Sequence, residues 1–379
     1  MKIKSLVIKK ILPKVVYLPW LFSWLILSVL SILKLLFLKV KKSKNINSQI
    51  CIEAGNKGWE SIELQELYQS AVEYLGENNV IKLSVDQNAH YFREVKKLIY
   101  NNNITHYVYD PRTGDQRAMF GIFQSFQIAV LLFWNNITPI SILTDLSIRT
   151  WRAQSAILTS KSGLVVSLMS PKMVSPIYPH NRLIGPCLMP LSIKTNKFLD
   201  KLISIKQPNE YPKSIFSGSL YEPRTTILKE IEEIVHSMGK NFEIIGRDIG
   251  KKKSPKDEYW SRLVSSDIVL TTAVQMSQNG TDWSEIPHFL YRYIEVLASG
   301  SFLIAEEVPG IRKYFTPDEH FVTFLDPNDA AKKIDFYLDN SSARNKIAAA
   351  GKKRADELVN SRFYWASIDL ALRQKGLHN

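Results

Sequence analysis

Residues 291–310, YRYIEVLASGSFLIAEEVPG, begin as a buried helix and end as a strand running into a loop, yet Arg292 and Glu295 stand inside the apolar run. On a helix from His288 to Ser299, at 100° per residue, Phe289, Tyr293, Val296 and Leu297 share one arc. His288, Arg292, Glu295 and Ser299 share another, so the two charges form a polar strip along one side. The same i,i+3 spacing also fits an ordinary ion pair on a solvated face. Gly300 suits a helix C-cap, SFLIAE reads as a buried strand, and EEVPGIRKYF reads as a helix restarting at Gly310. That second helix start, with Arg312 and Lys313 in its first turn, is a candidate anion site.

Outward from this stretch, short apolar runs alternate with helical patterns. Toward the C-terminus the order is SIFSGSL (214–220), a helix over 224–237, FEIIG (242–246), a helix over 255–265, DIVLTTA (267–273), the helix quoted above, SFLIAE, FVTFLD (321–326) and three closing helices. An earlier series runs QICIEAG (49–55), an amphipathic helix, VIKLSV (80–85), a second helix, THYVYD (105–110), an apolar helix, TPISILTD (138–145) and GLVVSLM (163–169). Strands separated by helices of this length imply βαβ units and parallel sheets. A proline at each end of the core of GPCLMPLS (185–192) and the polar IKTNK after it place a domain boundary near residue 195. The expected fold is therefore α/β, with Rossmann-like domains at 46–195 and 196–379 facing across a cleft. Ligands of such sheets lie beyond the carboxyl ends of the strands.

The chain of 379 residues carries a net charge of +13, but residues 1–44 hold ten lysines and no acidic residue, leaving +3 for the rest. Basicity confined to one end argues against a nucleic-acid-binding body. Between Val15 and Leu33 nineteen residues run without a charge, bracketed by lysines, so residues 1–45 read as a membrane anchor, spanning or lying in the interface. Lysines are equally frequent on both sides, so orientation is not written in the charges. Two cysteines, Cys51 and Cys187, fit buried free thiols in a reducing compartment better than a disulfide framework.

A carboxylate can bind two vicinal ribose hydroxyls and an arginine can pair with phosphate, which are the two halves of a nucleotide-sugar donor. YRYIEVLASGSFLIAEEVPGIRKYF resembles the signature of group-1 type glycosyltransferases of the GT-B fold, and is most similar to the branch of spore-maturation-type enzymes. SIFSGSLYEPRTTILKEI is similar to that branch's domain-opening strand and Arg-bearing helix start, and DEHFVTFLDPNDAAKKIDFYLDNSSARNKIAAAGKKR to its closing segment. The resemblance covers residues 213–365. It implies that Glu295 holds the donor ribose, and that Arg292 and Arg224 face the donor phosphates. It further implies that the Ser217-Gly218-Ser219 loop lets backbone approach them, and that the turn through Pro309 and Gly310 borders the transferred sugar. Many relatives carry a second Glu eight positions before the ribose-binding one; here that position is Pro287.

An inverting transfer needs a base for the acceptor hydroxyl. Candidates at strand ends or in loops of the first domain are Glu53, Asp110, Asp145 and His180; Asp110, in DPRTGDQR, leads. No Asp-x-Asp pair and no His/Cys cluster of metal-ligand spacing occurs, so metal-independent transfer without a cofactor is expected. The implied activity is glycosyl transfer from a nucleoside diphosphate sugar to a saccharide or lipid-linked acceptor, in cell-surface polysaccharide or glycolipid assembly. The domains would lie on the cytoplasmic side of a membrane. The alternative is a non-catalytic GT-B-like protein that binds glycans or nucleotides at the membrane.

Overall fold

The computed structural model describes residues 49–56, 62–85, 91–109, 131–143, 163–174, 181–207, 213–248, 255–273 and 289–377, with the single positions 22, 26, 29, 128 and 209. The expected anchor lies outside these residues except for Phe22, Ile26 and Val29, which are helical. Among the described residues no helix is long and apolar enough to cross a membrane. The chain divides into two compact units, residues 1–167, 174–184 and 368–379 in the first, 168–173 and 185–367 in the second.

The first unit is built on a parallel sheet of six strands: β1 (Gln49–Asn56), β2 (Val80–Val85), β3 (Ile104–Tyr109), β4 (Thr138–Leu143), β5 (Leu164–Ser167) and β6 (Leu183–Ile184), in the order β2-β1-β3-β4-β5-β6. Helix α1 (Ile62–Leu75) joins β1 to β2 and α2 (Tyr91–Asn101) joins β2 to β3. Cys51, Leu83, Val95, Ile99, Tyr107, Ile128 and Leu132 form its core. Glu53 is enclosed in the sheet, 1% exposed, where its carboxylate accepts the Tyr107 hydroxyl from the neighbouring strand β3.

The second unit places α3 (Ile193–Ser204) before a five-stranded parallel sheet of β7 (Ser214–Leu220), β8 (Glu243–Asp248), β9 (Ile268–Thr271), β10 (Phe302–Ala305) and β11 (Val322–Thr323). Its order, β11-β10-β9-β7-β8, reverses direction between β7 and β9. Connecting and closing helices are α4 (Arg224–Ser237), α5 (Lys256–Ser265), α6 (Arg292–Ala298), α7 (Pro327–Asp339), α8 (Ser341–Asn360) and the start of α9 (Phe363–Gln374), whose residues from 368 on belong to the first unit. In α4 the buried Leu228, Ile231 and Val235 recur at helical spacing and meet Phe216, Ile268, Leu270, Phe302 and Ile304 from alternating strand positions. Helix α7 starts on Asp326, whose side chain accepts the Asp329 N–H at 2.8 Å, with Pro327 in the first turn. On α8 the buried Ala348, Gly351 and Ala355 keep one face small. A Cβ on Gly351 would stand 2.4 Å from the His320 carbonyl and 2.7 Å from Leu297, so close approach of α8 to α6 requires glycine there.

Two expected features differ. Helix α6 starts at Arg292 rather than His288, because the Phe289 N–H is committed to the Leu168 carbonyl at 3.2 Å and Phe289 and Leu290 are not helical. It ends as anticipated, on Gly300 with φ +74. The helix expected from Gly310 is only a three-residue 3₁₀ turn, Ile311–Lys313. The exposed Arg312 guanidinium is taken by Glu307 at 2.6 and 3.1 Å. No helical N-terminus forms there to hold an anion.

Gly310 itself has φ +87, and a Cβ on it would lie 2.2 Å from Cγ of Pro186. Replacing Gly310 by alanine combines a left-handed penalty of about 1–2 kcal/mol with overpacking of about 1–3 kcal/mol against a rigid ring. Urea unfolding of Gly310→Ala should show a loss of about 2–5 kcal/mol; an unchanged midpoint would mean that the ring simply moves aside.

Candidate functional site

The site lies where the second sheet reverses its strand order. Strand β7 pairs with β8 from Ile215 to Leu220, but with β9 only through Ser214 and Ile215. Beyond Ile215 its carboxyl half no longer pairs with β9, and the crevice at such a reversal of strand order is the switch point at which doubly wound sheets bind ligands.

Arg224, the first residue of α4, spans that crevice. Its Nε donates to Thr272 Oγ1 at 3.0 Å, its Nη2 to the Thr272 carbonyl at 3.0 Å, and its Nη1 to the Ser219 carbonyl at 3.2 Å. The guanidinium lies 4.2 Å from the Tyr221 ring centroid and 5.7 Å from that of Phe216. Burial depresses its basicity, as the nearby positive charge of Arg292 does to a lesser extent, while Tyr221 and Glu306 support it. Arg224 thus combines a structural duty, tying β7 to the end of β9, with a cation presented at the strand ends.

Arg292 approaches from α6. Its guanidinium stacks 5.0 Å from the Tyr259 ring centroid, its Nη1 donates to the Tyr259 hydroxyl, and Nη1 lies 3.7 Å from Glu295 Oε2. A Cβ on Gly218 would stand 3.0 Å from Phe216 and 3.5 Å from Arg292 Nη2, so the missing side chain leaves room for the guanidinium. Glu295 is buried, its side chain 5% exposed against 16% for Arg292. A solvated surface pair is excluded by these values: the polar strip of α6 faces inward.

Ser217, Gly218 and Ser219 belong to β7 itself rather than to a loop, opposite Ile245, Gly246 and Arg247 of β8. Leu220 lies over Gly246, where a Cβ would be 2.3 Å from Leu220 Cγ, so a Gly-Ser composition that reads as a turn packs as a strand. Ser217 is buried, its Oγ 3.5 Å from Arg262 Nη1; Arg262 also pairs with Glu258 at 2.6 Å. Pro309 and Gly310 are exposed, and the backbone of Gly310 sits against Pro186.

Several residues of the site had escaped the sequence reading. Glu306 directly follows β10, and its carboxylate accepts the Ala273 N–H just beyond β9. Burial raises its carboxyl above the usual carboxylate range, opposed by that N–H and by Arg224. The Tyr293 hydroxyl pins the Glu306 carbonyl at 2.5 Å. Thr272 and Tyr259 were missed because a threonine after a strand and an aromatic on an amphipathic helix look like ordinary structure. A carboxylate at the end of an apolar strand was the one available signal for Glu306.

Asp110, Asp145 and His180, the other candidate bases, and Pro287 lie outside the described residues. Among the described residues no three His, Cys, Asp or Glu side chains are grouped to hold a metal ion. Both cysteines are buried and free; burial pushes the Cys187 thiol up to about 11 against the influence of Lys313, and Cys51 well above its usual range.

Residues 224–362, which include Arg224, Arg292, Glu295 and Glu306, match a family model described as glycosyl transferase-like. No curated protein matches the chain. Among solved structures, Anabaena Alr3699/HepE in complex with UDP and glucose superposes with TM-score 0.57 at 9% identity, covering 86% of this chain and 99% of that one. A T4 phage BGT mutant in complex with UDP-glucose gives 0.52 at 14% identity, covering 86% and 99%. Sucrose-phosphate synthase from Thermosynechococcus elongatus gives 0.51 at 13%, covering 87% and 98%. At such identities the likeness shows the fold, an α/β chain with two parallel sheets of the GT-B-like kind. The glycosyltransferase-like segment is the one that carries the charged crevice.

Proposed function

We propose that the chain is a glycosyltransferase that takes a sugar from a nucleoside diphosphate donor. The observation that carries this reading is the convergence of Arg224, Arg292 and Glu295 on the β7/β9 switch crevice, inside the segment that matches the glycosyltransferase-like model. Two guanidinium groups suit a diphosphate, and a buried carboxylate beside them suits the paired hydroxyls of a ribose. The presence of UDP or UDP-glucose in the HepE and T4 phage complexes makes uracil the first base to try. The match over 224–362 is to a glycosyl transferase-like model and falls within the 213–365 segment; membership of the spore-maturation branch is our own finer reading, resting on the sequence resemblance of that segment.

In this reading residues 196–379 hold the donor and 46–195 supply the acceptor side, with Asp110 as candidate base. Charge developing on the leaving diphosphate is met by Arg224 and Arg292, which is the basis for a metal-independent transfer needing no cofactor. The acceptor is a saccharide or lipid-linked glycan of cell-surface polysaccharide or glycolipid assembly. Residues 1–45 anchor the enzyme, its catalytic domains on the cytoplasmic side.

Thermal denaturation with UDP-, GDP- and dTDP-sugars tests this first. A donor at one hundred times its Kd should add about 2.7 kcal/mol of stability, and glycosyl transfer or slow donor hydrolysis should follow with the same nucleotide. A chain that no nucleotide sugar stabilises, and that releases no nucleotide from any of them, would sink the proposal. Pro287, where many relatives carry Glu, favours one second reading, a non-catalytic binder of nucleotide or glycan. It is distinguished by nucleotide binding without turnover across a panel of acceptors.

A further inference from the structure

Among the described residues, two cations and two carboxylates meet at the switch crevice: Arg224 and Arg292 with Glu295 and Glu306. A neutral cluster is a poor receiver for a diphosphate, so one carboxylate must give way or change partners. Glu295 has a use in the proposed function, as acceptor for ribose hydroxyls. Glu306 has none, yet it holds two groups suited to phosphate: a main-chain N–H at the end of β9 and the charge of Arg224. Its backbone is fixed by the end of β10 and by the Tyr293 hydroxyl, so only the side chain is left to move.

We propose that Glu306 is an internal anion that keeps the diphosphate position: its carboxylate holds the Ala273 N–H beside Arg224 until the diphosphate of an incoming nucleotide displaces it. The inference rests on the nucleotide-sugar reading above and adds to it a residue that tunes affinity for the phosphates alone. Donor binding then exchanges one anion for another, and the returning carboxylate favours release of the nucleoside diphosphate product. Among the described residues the groups facing Glu306 are the Ala273 N–H, Arg224 from α4 with Arg292 beyond it, and the Tyr293 hydroxyl from α6.

The test compares UDP with uridine on the full chain and on Glu306→Gln, whose amide oxygen still accepts the Ala273 N–H but carries no charge. Glu306→Gln should bind UDP about tenfold more tightly, a change equivalent to one unit of pKa, and uridine no differently. Unchanged or weaker UDP binding would overturn the proposal, as would equal tightening of uridine. If Glu306→Gln does not fold, the wild-type Ala273 amide resonance decides. It should shift on saturation with UDP and stay in place with uridine, and an amide indifferent to UDP is an adverse result. A wild-type chain that binds no nucleoside diphosphate removes the underlying reading and this inference with it.

Discussion

Arg224→Met should destabilise the second unit by about 3 kcal/mol and weaken UDP binding at least about tenfold. Methionine fills much of the same volume and keeps contact with Phe216 and Tyr221, so the loss reports on the polar groups. Those are the Thr272 carbonyl, Thr272 Oγ1 and the Ser219 carbonyl, each holding a guanidinium N–H at 3.0–3.2 Å. At 7% exposure little water reaches the site to replace that donor. Arg224→Lys keeps a charge but cannot reach three acceptors in a planar fork, so it should recover little of the stability. Urea unfolding gives the first number and calorimetric titration the second. A methionine variant with the wild-type midpoint and wild-type affinity would show that the bridge between β7 and β9 matters to neither.

The strand and helix series was legible because apolar periodicity and end signals agreed. Ser214–Leu220 and Arg224–Ser237 fall where the pattern places them, and the three closing helices are all present. Gly300 ends α6 as its position suggested. Features set by distant partners were not legible. The Phe289 N–H turns to Leu168, shortening α6, and Gly310 is held against Pro186, stopping a second helix. A projection put Arg292 and Glu295 on one side of a helix but carried no information about burial. That comes from Tyr259, Gly218 and the surrounding core, all contributed by other elements. The role of strand order is similar: nothing local announces that β7 stops pairing with β9 after Ile215, yet the candidate site lies at this reversal. Tertiary pairing chose the site; local pattern supplied its residues.

Removing Arg292 alone should be more damaging to stability than removing Arg292 and Glu295 together. The two side chains are 3.7 Å apart and both are largely shielded from water. Arg292→Met removes the cation 3.7 Å from a buried carboxylate, a change that costs about 3–5 kcal/mol in fully buried pairs and less here because Arg292 is partly exposed. The double variant Arg292→Met/Glu295→Met replaces the pair with apolar groups of similar size, for which such exchanges are often neutral. It should recover most of the stability. Nucleotide affinity should behave in the opposite way. Glu295→Gln, which keeps the shape but loses the charged acceptor, should bind UDP about tenfold more weakly, since charge-assisted hydrogen bonds are roughly twice as strong as neutral ones. The double variant should show no measurable binding although it is folded. Stability restored without binding assigns the pair to the ligand rather than to the fold. A double variant that binds UDP as the wild type does would place the nucleotide elsewhere in the chain, and with it the chemistry attributed to this crevice.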